Sequence, residues 1–288
     1  VMRRGKVVGD ADMPVPAAEL VTMMFGQPVE IAARPEAVVG DPVLSLRDVT
    51  IEERLMRIDG ISLEVAAGEV IGIAGMEGSG QSTFLRGISG LLRPGTGVIT
   101  LDGGDVTQAG YRSRLASGIH YLPAGRLEEG LVEGLTITEH LVLAERTDRS
   151  FFVDWDKART RAEARIAEYS IKGTAASPVE GLSGGNQQRL LLAMLPPDLK
   201  VLLMEHPTRG LDIGSADWVW TQLLARRDHG TAIVFASADI DELLRYSDRI
   251  LVFFSGQVLA VLEASATDVD EIGHLIGGRV SRTAARSA

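Results

Sequence analysis

Seven residues, 182–188, read Leu-Ser-Gly-Gly-Asn-Gln-Gln and combine residue types that suit anion binding. Gly184 and Gly185 free the backbone, and the apolar stretch after them predicts a helix over Gln187–Leu195. Ser183 and the next three amides then precede a helix N-terminus, where unpaired N–H groups attract phosphate. Ser-Gly-Gly also precedes many ordinary capped helices, so these residues alone leave both interpretations open.

A second glycine-rich stretch, residues 75–83, follows an apolar strand predicted at Val70–Ala74. Its spacing is that of a phosphate-binding P-loop, Gly-x-x-x-x-Gly-Lys-Ser, except that Gln81 occupies the lysine position. Ser82 keeps the hydroxyl that coordinates magnesium in such a loop. Loss of the lysine's charge-assisted bond is expected to weaken nucleotide binding by roughly 10- to 100-fold. Glycine-rich turns between a strand and a helix also occur without bound phosphate.

A third stretch, residues 201–212, begins as a buried strand and reaches a carboxylate at Glu205. A carboxylate at a strand end beside a P-loop is what magnesium coordination requires. His206 follows, and then Pro-Thr-Arg-Gly-Leu-Asp, which ends at Asp212.

These three stretches, in this order, resemble the nucleotide-binding domain of an ABC transporter. The residues at 182–188 and those of Pro-Thr-Arg-Gly-Leu-Asp are similar to the residues of sugar and nucleoside importers. The resemblance covers most of the chain from Leu44 to Gly278. It implies an α/β fold with a P-loop NTPase core of ABC type, a mostly parallel sheet flanked by helices. An N-terminal antiparallel β-subdomain and a helical subdomain at about 130–182 are implied as well.

The resemblance also implies ATP and Mg²⁺ as cofactors, with Ser82 and Glu205 as metal ligands. In this family each ATP lies between the P-loop of one domain and the signature of another, and residues 182–188 correspond to the signature. The residues expected to contact ATP are Gly75, Glu77, Gly78, Ser79, Gly80, Gln81, Ser82, Thr83, Ser183, Gly184, Gly185, Asn186, Gln187 and Asp212.

Several positions depart from the family's pattern, and each departure removes a group that the family uses to bind or hydrolyse ATP. Gln81 removes the P-loop cation, and His206 occupies the position of the family's glutamate base. Because histidine accepts protons, His206 is either a catalytic base or a merely polar substitute. Ala238 replaces the switch histidine, and Pro123 replaces a glutamine that would contact metal-bound water. Together these departures predict a site that holds nucleotide without splitting it, whereas the signature at 182–188 is unbroken.

Composition limits the classes of function. Hydrophobic residues make up 45% of the 288 residues and charged residues 24%, as in globular proteins, and the net charge of −10 argues against a nucleic-acid-binding surface. The chain has no cysteine, which excludes disulfides and thiolate chemistry. No apolar stretch reaches membrane-spanning length, since Ile250–Leu262 is interrupted by polar residues and glycine. A role at a membrane is therefore expected to depend on a partner subunit.

The first residues of the chain recur near its end. Residues 1–8 match 252–259 and residues 17–26 match 268–277, both at an offset of 251. A strand-turn-strand-helix unit is common enough to match by chance, but the unbroken register favours a repeat. We therefore expect the tail of a preceding ATPase repeat at 1–27, a linker at 28–42, the ATP-binding domain at 43–278 and a disordered tail at 279–288.

The local patterns alternate strands with helices, which predicts a parallel sheet. The further predicted strands are Leu44–Val49, Ile61–Val65, Val98–Leu101, Ile119–Leu122, Ile233–Ala236 and Ile250–Phe254, and the predicted helices are Gln81–Gly90, Trp155–Tyr169, Asp239–Tyr246 and one that starts near Thr136.

The favoured hypothesis is the C-terminal ATPase half of an importer for sugars or nucleosides, inactive when isolated. Its expected partners are the first ATPase repeat, transmembrane permease subunits and, indirectly, a periplasmic or lipid-anchored solute-binding protein. Its expected location is the cytoplasmic face of the cell membrane. The alternative is a soluble nucleotide sensor or another ABC protein without a transport role, which would not co-purify with a membrane subunit.

Overall fold

A computed structural model describes residues 1–3, 6–10, 23, 39–145 and 152–279. The chain forms two compact units, Val1–Glu36 and Ala37–Ala288. Most of the predicted linker, residues 28–38, and of the predicted tail, residues 280–288, lies outside the described residues.

The first unit contains a short hairpin of β1 (Met2–Arg3) and β2 (Lys6–Val7), which pair in antiparallel register. Met2 lies opposite Val7, and Arg3 lies opposite Lys6. Met23 is helical, and the rest of the repeat segment at 17–26 lies outside the described residues.

The second unit begins with an antiparallel sheet whose strands follow the order β4-β3-β6-β7. The two long strands alternate buried and exposed residues because one face of this sheet is covered. These strands extend beyond the segments predicted from sequence. Their bounds are β3 (Pro42–Glu53), β4 (Met56–Ala66), β6 (Pro94–Leu101) and β7 (Gly104–Asp105).

A second sheet forms the centre of the domain. Its strands are β5 (Val70–Gly75), β8 (Ile119–Leu122), β9 (Val201–Glu205), β10 (Ala232–Ala236), β11 (Arg249–Phe254) and β12 (Gln257–Glu263). They follow the order β12-β11-β5-β10-β9-β8, all parallel except β12, which pairs antiparallel with β11 at the edge. The parallel strands are continuous apolar runs because both faces of the sheet are covered.

Alternate side chains of β5 belong to two different cores. Ile71 and Ile73 pack with the antiparallel sheet, whereas Val70 and Ala74 pack with helices on the other face. Since β5, β9 and β10 are parallel, their carboxyl ends meet at one edge of the sheet. Loops at that edge are where open α/β sheets bind ligands.

The helices among the described residues are α1 (Gln81–Ser89), α2 (Tyr111–Ser117), α3 (Ile137–Ala144), α4 (Trp155–Glu168), α5 (Gly184–Ala193), α6 (Ile213–Asp228), α7 (Ile240–Tyr246) and α8 (Val269–Ile276). Both α3 and α4 lie between β8 and the signature. A capping box of Thr136 and Glu139 starts α3. None of the helices formed by the described residues is long and apolar enough to cross a membrane.

The helix predicted at Gln187–Leu195 needs a correction, because it begins at Gly184 and ends at Ala193. The two glycines form its first turn instead of the loop before it. The sequence patterns did not predict α2 or α6.

Candidate nucleotide-binding site

Residues 75–80 connect the buried end of β5 to α1. Gly78 and Gly80 have φ angles of 82° and 116°, in the left-handed region that favours glycine. A Cβ atom added at Gly78 would meet no atom within 4 Å, so the space beside the loop at this position is open. No side chain caps the start of α1, which leaves its first N–H groups available. This is the geometry of a phosphate site at a helix N-terminus.

The loop forms one wall of a cleft of about 590 Å³ at the carboxyl edge of the sheet. Residues after β9 and β10 and from α7 form the other walls. The predicted ATP contacts that line the cleft are Gly75, Glu77, Gly78, Gln81 and Ser82.

Two predicted contacts in the P-loop have other partners. The Ser79 amide donates to the Met76 carbonyl at 3.0 Å, and the Ser79 carbonyl accepts from the Gly256 amide at 2.9 Å. Thr83 is buried, and its hydroxyl donates to Glu53 at 3.3 Å. The Ser79 backbone and the Thr83 side chain therefore support the loop, and neither residue lines the cleft.

Gln81 lies across the P-loop. Its Nε2 donates to the Met76 carbonyl at 3.1 Å, and the same atom lies 2.4 Å from the position that a Cβ atom at Gly75 would occupy. The glutamine amide thus fills space beside the loop but adds no positive charge for a phosphate.

Ser82 and Glu205 bring two oxygen ligands together in the cleft. The Ser82 hydroxyl donates to Glu205 Oε1 at 2.5 Å, and the Tyr121 hydroxyl donates to the same oxygen at 2.6 Å. Burial, reinforced by the bond to Glu205, raises the pKa of Tyr121 far above its usual value, so the phenol remains a donor. Tyr121 was not predicted to belong to the site.

The oxygens of Ser82 and Glu205 fit Mg²⁺, which prefers oxygen ligands and completes its shell with phosphate and water. The described residues contain no cluster of three or more histidine or carboxylate side chains that could hold a metal by themselves. The fit therefore depends on a bound nucleotide.

His206 lines the cleft directly after β9. Its φ angle of 47° is left-handed, and its amide donates to the Ala236 carbonyl at 2.8 Å, which fixes the backbone at this turn. Burial, together with the nearby Arg209 charge, lowers the pKa of His206, so its imidazole is neutral at pH 7. Ala238 lies in the same cleft and provides no side chain that reaches a phosphate.

A buried carboxylate, Glu242, lies at one end of the cleft and was missed by the sequence analysis. Its Oε1 accepts from Thr208 at 2.6 Å and from the Trp220 indole at 2.7 Å, and its Oε2 accepts from Ser237 at 2.5 Å. Glu242 therefore connects α6, α7, the loop after β9 and the loop after β10.

The signature lies at the N-terminus of α5. Ser183 is the N-cap residue, and its carbonyl accepts from the amides of Asn186 and Gln187 at 2.8 and 2.9 Å. The Asn186 amide was expected to face an anion, and this internal bond corrects that expectation. The amides of Gly184 and Gly185 have no backbone acceptor among the described residues.

The side chains of Asn186 and Gln187 are buried and face the protein. Asn186 donates to the Ser183 hydroxyl at 2.8 Å and accepts from the Lys172 amide at 2.8 Å. Gln187 donates to the Val179 carbonyl at 3.2 Å. These side chains therefore hold the signature in place, and Gly184 and Gly185 remain the donors available to a ligand.

Asp212 caps α6 beside the signature. Its carboxylate accepts from the Ser215 amide at 3.0 Å and from the Ser215 hydroxyl at 2.7 Å, and these bonds lower the pKa of Asp212. The Ser215 hydroxyl lies 2.9 Å from where a Cβ atom at Gly185 would stand. No residue of 182–188 lines the P-loop cleft among the residues the structure describes, so the signature opens to a different part of the surface.

The sequence profile of the ABC transporter family matches residues 58–209, which run from the β-subdomain through the signature to the turn after Glu205. The chain belongs to the ABC transporter family.

Curated relatives of the chain include ATP-binding proteins of importers. The chain is 32% identical to the nucleoside import ATP-binding protein NupA of Lactococcus lactis, over 98% of this chain and 58% of that protein. It is 31% identical to the guanosine import ATP-binding protein NupO of Bacillus subtilis, over 100% of this chain and 58% of that protein. A ribose import ATP-binding protein, RbsA 1 of Rhizobium johnstonii, is 34% identical over 88% of this chain and 51% of its own length. The chain thus spans a little over half the length of these relatives.

Solved structures confirm the α/β fold with its antiparallel β-subdomain. The ATP-binding subunit of an ABC transporter superimposes with a TM-score of 0.66 at 20% identity, over 82% of this chain and 99% of that chain. A dimeric ATP-binding cassette in a post-hydrolysis state with bound ADP and Pi gives 0.63 at 24% identity, over 77% of this chain and 98% of that chain.

Proposed function

We propose that this ABC domain is the C-terminal ATP-binding half of an importer for sugars or nucleosides. The observation that carries the proposal is the alignment of 98% of the chain with 58% of a nucleoside import ATP-binding protein. The 42% of that relative outside the aligned 58%, taken with the part that aligns to residues 1–27, has room for a second domain about the size of 43–278. The names of the relatives include nucleoside, guanosine and ribose import, and we therefore propose this group of substrates for the transporter.

The hairpin in the first unit supports a tandem arrangement. Met2 pairs with Val7 as Phe253 pairs with Val258, which is the same pairing at an offset of 251 residues. The second pair of each hairpin, from Arg3 and from Phe254, keeps that offset as well. We infer that residues 1–27 end a first ATPase repeat and that residues 28–42 link it to the domain at 43–278.

In this proposal the chain's own cleft binds nucleotide and turns it over slowly. Ser82 and Glu205 hold Mg²⁺, and the amides of the P-loop bind phosphate. When bound, Mg²⁺ offsets phosphate charge. Gln81 adds no cation. The neutral imidazole of His206 occupies the position of the family's glutamate base, and we infer that it does not position the attacking water as that carboxylate does. Ala238, in the loop after β10, replaces the family's switch histidine and provides no side-chain contact to the γ-phosphate.

The signature performs the second role of the chain. The amides of Gly184 and Gly185 contact the terminal phosphate of the ATP held by the first repeat, and they stabilise negative charge that develops on it during hydrolysis. The proposal thus assigns transport-coupled hydrolysis to the site of the other repeat, which this chain completes from the opposite side.

The proposed partners follow from this role. Transmembrane permease subunits bind the ATPase at the cytoplasmic face of the membrane, and a periplasmic or lipid-anchored solute-binding protein delivers substrate to them. The helical segment of α3 and α4 is the proposed contact with the permease.

Two measurements test the proposal. We expect the isolated 288-residue chain to release phosphate from ATP at background rate, and the full-length protein, co-expressed with its permease genes, to co-purify with a membrane subunit and to hydrolyse ATP. Ordinary ABC rates in the isolated chain, lost on Ser82→Ala, would contradict the degenerate site. Failure to recover any membrane subunit would favour the soluble nucleotide-sensing alternative.

A further inference from the structure

One arginine, Arg126, lies beside the signature, and the family resemblance gave it no role. It starts a turn at Arg126–Gly130 in which the Gly125 carbonyl accepts from two amides, those of Glu129 and Gly130. Its Nη1 atom lies 3.4 Å from the position of a Cβ atom at Gly184. The guanidinium therefore lies beside Gly184, one of the two signature residues whose amides are free to bind a ligand.

Two hydrogen bonds hold the guanidinium in this place. Nε donates to the Gln188 side chain at 2.9 Å, and Nη2 donates to the Arg209 carbonyl. Gln188 is buried within α5, so the signature helix itself orients Arg126. These two bonds use Nε and Nη2 and leave Nη1 without an acceptor among the described residues.

The charge of Arg126 is not neutralised. No carboxylate among the described residues forms an ion pair with Arg126 or Arg209, although Glu128 is near enough to favour the charged form of Arg126. Both arginines line a shallow depression of about 450 Å³ together with Gln187 of the signature and the acidic residue Glu128. Burial lowers the pKa of Arg126, but a guanidinium remains charged at any physiological pH. A partly desolvated cation that forms no ion pair among the described residues is suited to bind an anion from outside the chain.

We propose that Arg126 contacts the terminal phosphate of the ATP held by the first repeat, next to the amides of Gly184 and Gly185. The inference rests on the proposed function, because that function places a partner's triphosphate at this surface. A guanidinium matches phosphate oxygens in geometry and charge, and its contact strengthens as charge develops on the transferred group. The phosphate that Arg126 recognises is the γ-phosphate, which ATP has and ADP lacks.

The test uses the full-length protein with its permease in liposomes. We expect Arg126→Gln to lower kcat about 10- to 100-fold, the loss of one charge-assisted hydrogen bond, and Arg126→Lys to retain more activity than Arg126→Gln. Affinity for a non-hydrolysable ATP analogue should fall in Arg126→Gln, and affinity for ADP should stay within about 3-fold, because ADP lacks the recognised group.

Arg226→Gln is the matched control. Arg226 is also half-buried and donates to the Pro196 carbonyl and the Tyr169 hydroxyl, away from the signature, so its loss should leave kcat and the preference for the ATP analogue unchanged. If Arg126→Gln weakens ADP and the ATP analogue equally, or if Lys and Gln variants are equally impaired with lower Tm, Arg126 only supports the fold and the inference is wrong.

The variant Gly184→Asp distinguishes failure of the proposed function from failure of the role proposed for Arg126. If Gly184→Asp abolishes hydrolysis and Arg126→Gln leaves it intact, the signature works as proposed without Arg126. If Gly184→Asp has no effect, the signature is outside the reacting site, and both the proposed function and the role of Arg126 are wrong.

Discussion

The P-loop cleft and the signature belong to one domain, yet they differ in the groups that they offer to a phosphate. At the cleft the P-loop keeps its left-handed glycines, whereas Gln81 adds no positive charge and Ala238 has no side chain that reaches a phosphate. At the signature the free amides of Gly184 and Gly185 are kept, and buried side chains fix them in place. We therefore expect that the backbone amides that bind phosphate and the side chains that act on it can be altered independently.

The loop after β9 connects the cleft to the signature. His206 at its start lines the cleft, and Asp212 at its end caps α6 beside Gly185. Between them, Thr208 is bonded to the buried Glu242. Because one loop serves both regions, a domain whose own cleft does not hydrolyse ATP, as we propose for this one, would still need that loop to hold its signature.

The largest effect should separate the two regions directly. In the full-length protein with its permease, we expect Gly184→Asp to lower ATP hydrolysis about 100- to 1,000-fold, since a carboxylate there repels phosphate and pairs with Arg126. Ser183→Arg should block the same surface by its size. His206→Ala should cost less than about 3-fold, because the chain's own site is already slow.

All three variants are assayed side by side for phosphate release and transport in liposomes. If His206→Ala is as damaging as Gly184→Asp, the cleft is catalytic and the contrast between the two regions disappears.

The second effect concerns the framework that the two regions share. Glu242→Ala leaves the hydroxyls of Thr208 and Ser237 and the Trp220 indole without their acceptor, so we expect the free energy of unfolding to fall by about 2–3 kcal/mol. Glu242→Gln keeps an acceptor oxygen and should cost less. Urea denaturation of the 288-residue chain measures both, and a loss below about 0.5 kcal/mol for Glu242→Ala would show that this network is not stabilising.

How much of this was visible in the sequence depended on the distance between partners along the chain. The P-loop at 75–83, the strand ending at Glu205 and the signature at 182–188 are local patterns. The first two were placed correctly, and the signature was placed beside a helix whose start was predicted three residues too late. Tyr121 bonds to Glu205 across 84 residues, and Arg126 bonds to Gln188 across 62. Such pairs are set by the order of the strands and the packing of α5, which local patterns do not contain.

The errors in secondary structure have local causes. Gly184 and Gly185 have low helix propensity, which hid the first turn of α5, and tertiary packing of that turn overrides the propensity. The helix α6 has Gly214 in its first turn and mixes two tryptophans with polar residues, so its periodicity is weak although Trp220 and Leu223 are buried.

A third effect tests whether Gln81 is the one defect of the cleft. Gln81→Lys restores a cation between the phosphates, and we expect nucleotide affinity of the isolated chain to rise about 10- to 100-fold. Turnover should stay at background, because the family's base and switch residue are still absent at His206 and Ala238. Calorimetric titration with ATP and a phosphate-release assay on the same variant check both parts. Recovered turnover would show that the rest of the cleft is competent.

The smallest effect concerns the cap that holds α6 against the signature. Asp212→Ala removes the acceptor of the Ser215 amide, so we expect a loss of about 0.5–1 kcal/mol in the free energy of unfolding at neutral pH. Asp212→Asn keeps a capping oxygen and serves as the control, with a loss of a few tenths of a kcal/mol.

The same two variants give a pH test of the cap. The bonds from Ser215 lower the pKa of Asp212 in the folded chain, so the unfolded chain, with a carboxyl pKa of about 3.9, takes up its proton first as pH falls. The stability that this group contributes is complete above about pH 5 and is lost as pH falls through the folded pKa. The wild-type chain should therefore lose more stability than Asp212→Asn between about pH 5 and about pH 3, measured by urea denaturation across that range. Equal losses would show that the carboxylate charge does not hold this end of α6. The signature would then be fixed by the buried side chains of Asn186 and Gln187, without help from the loop that it shares with the cleft.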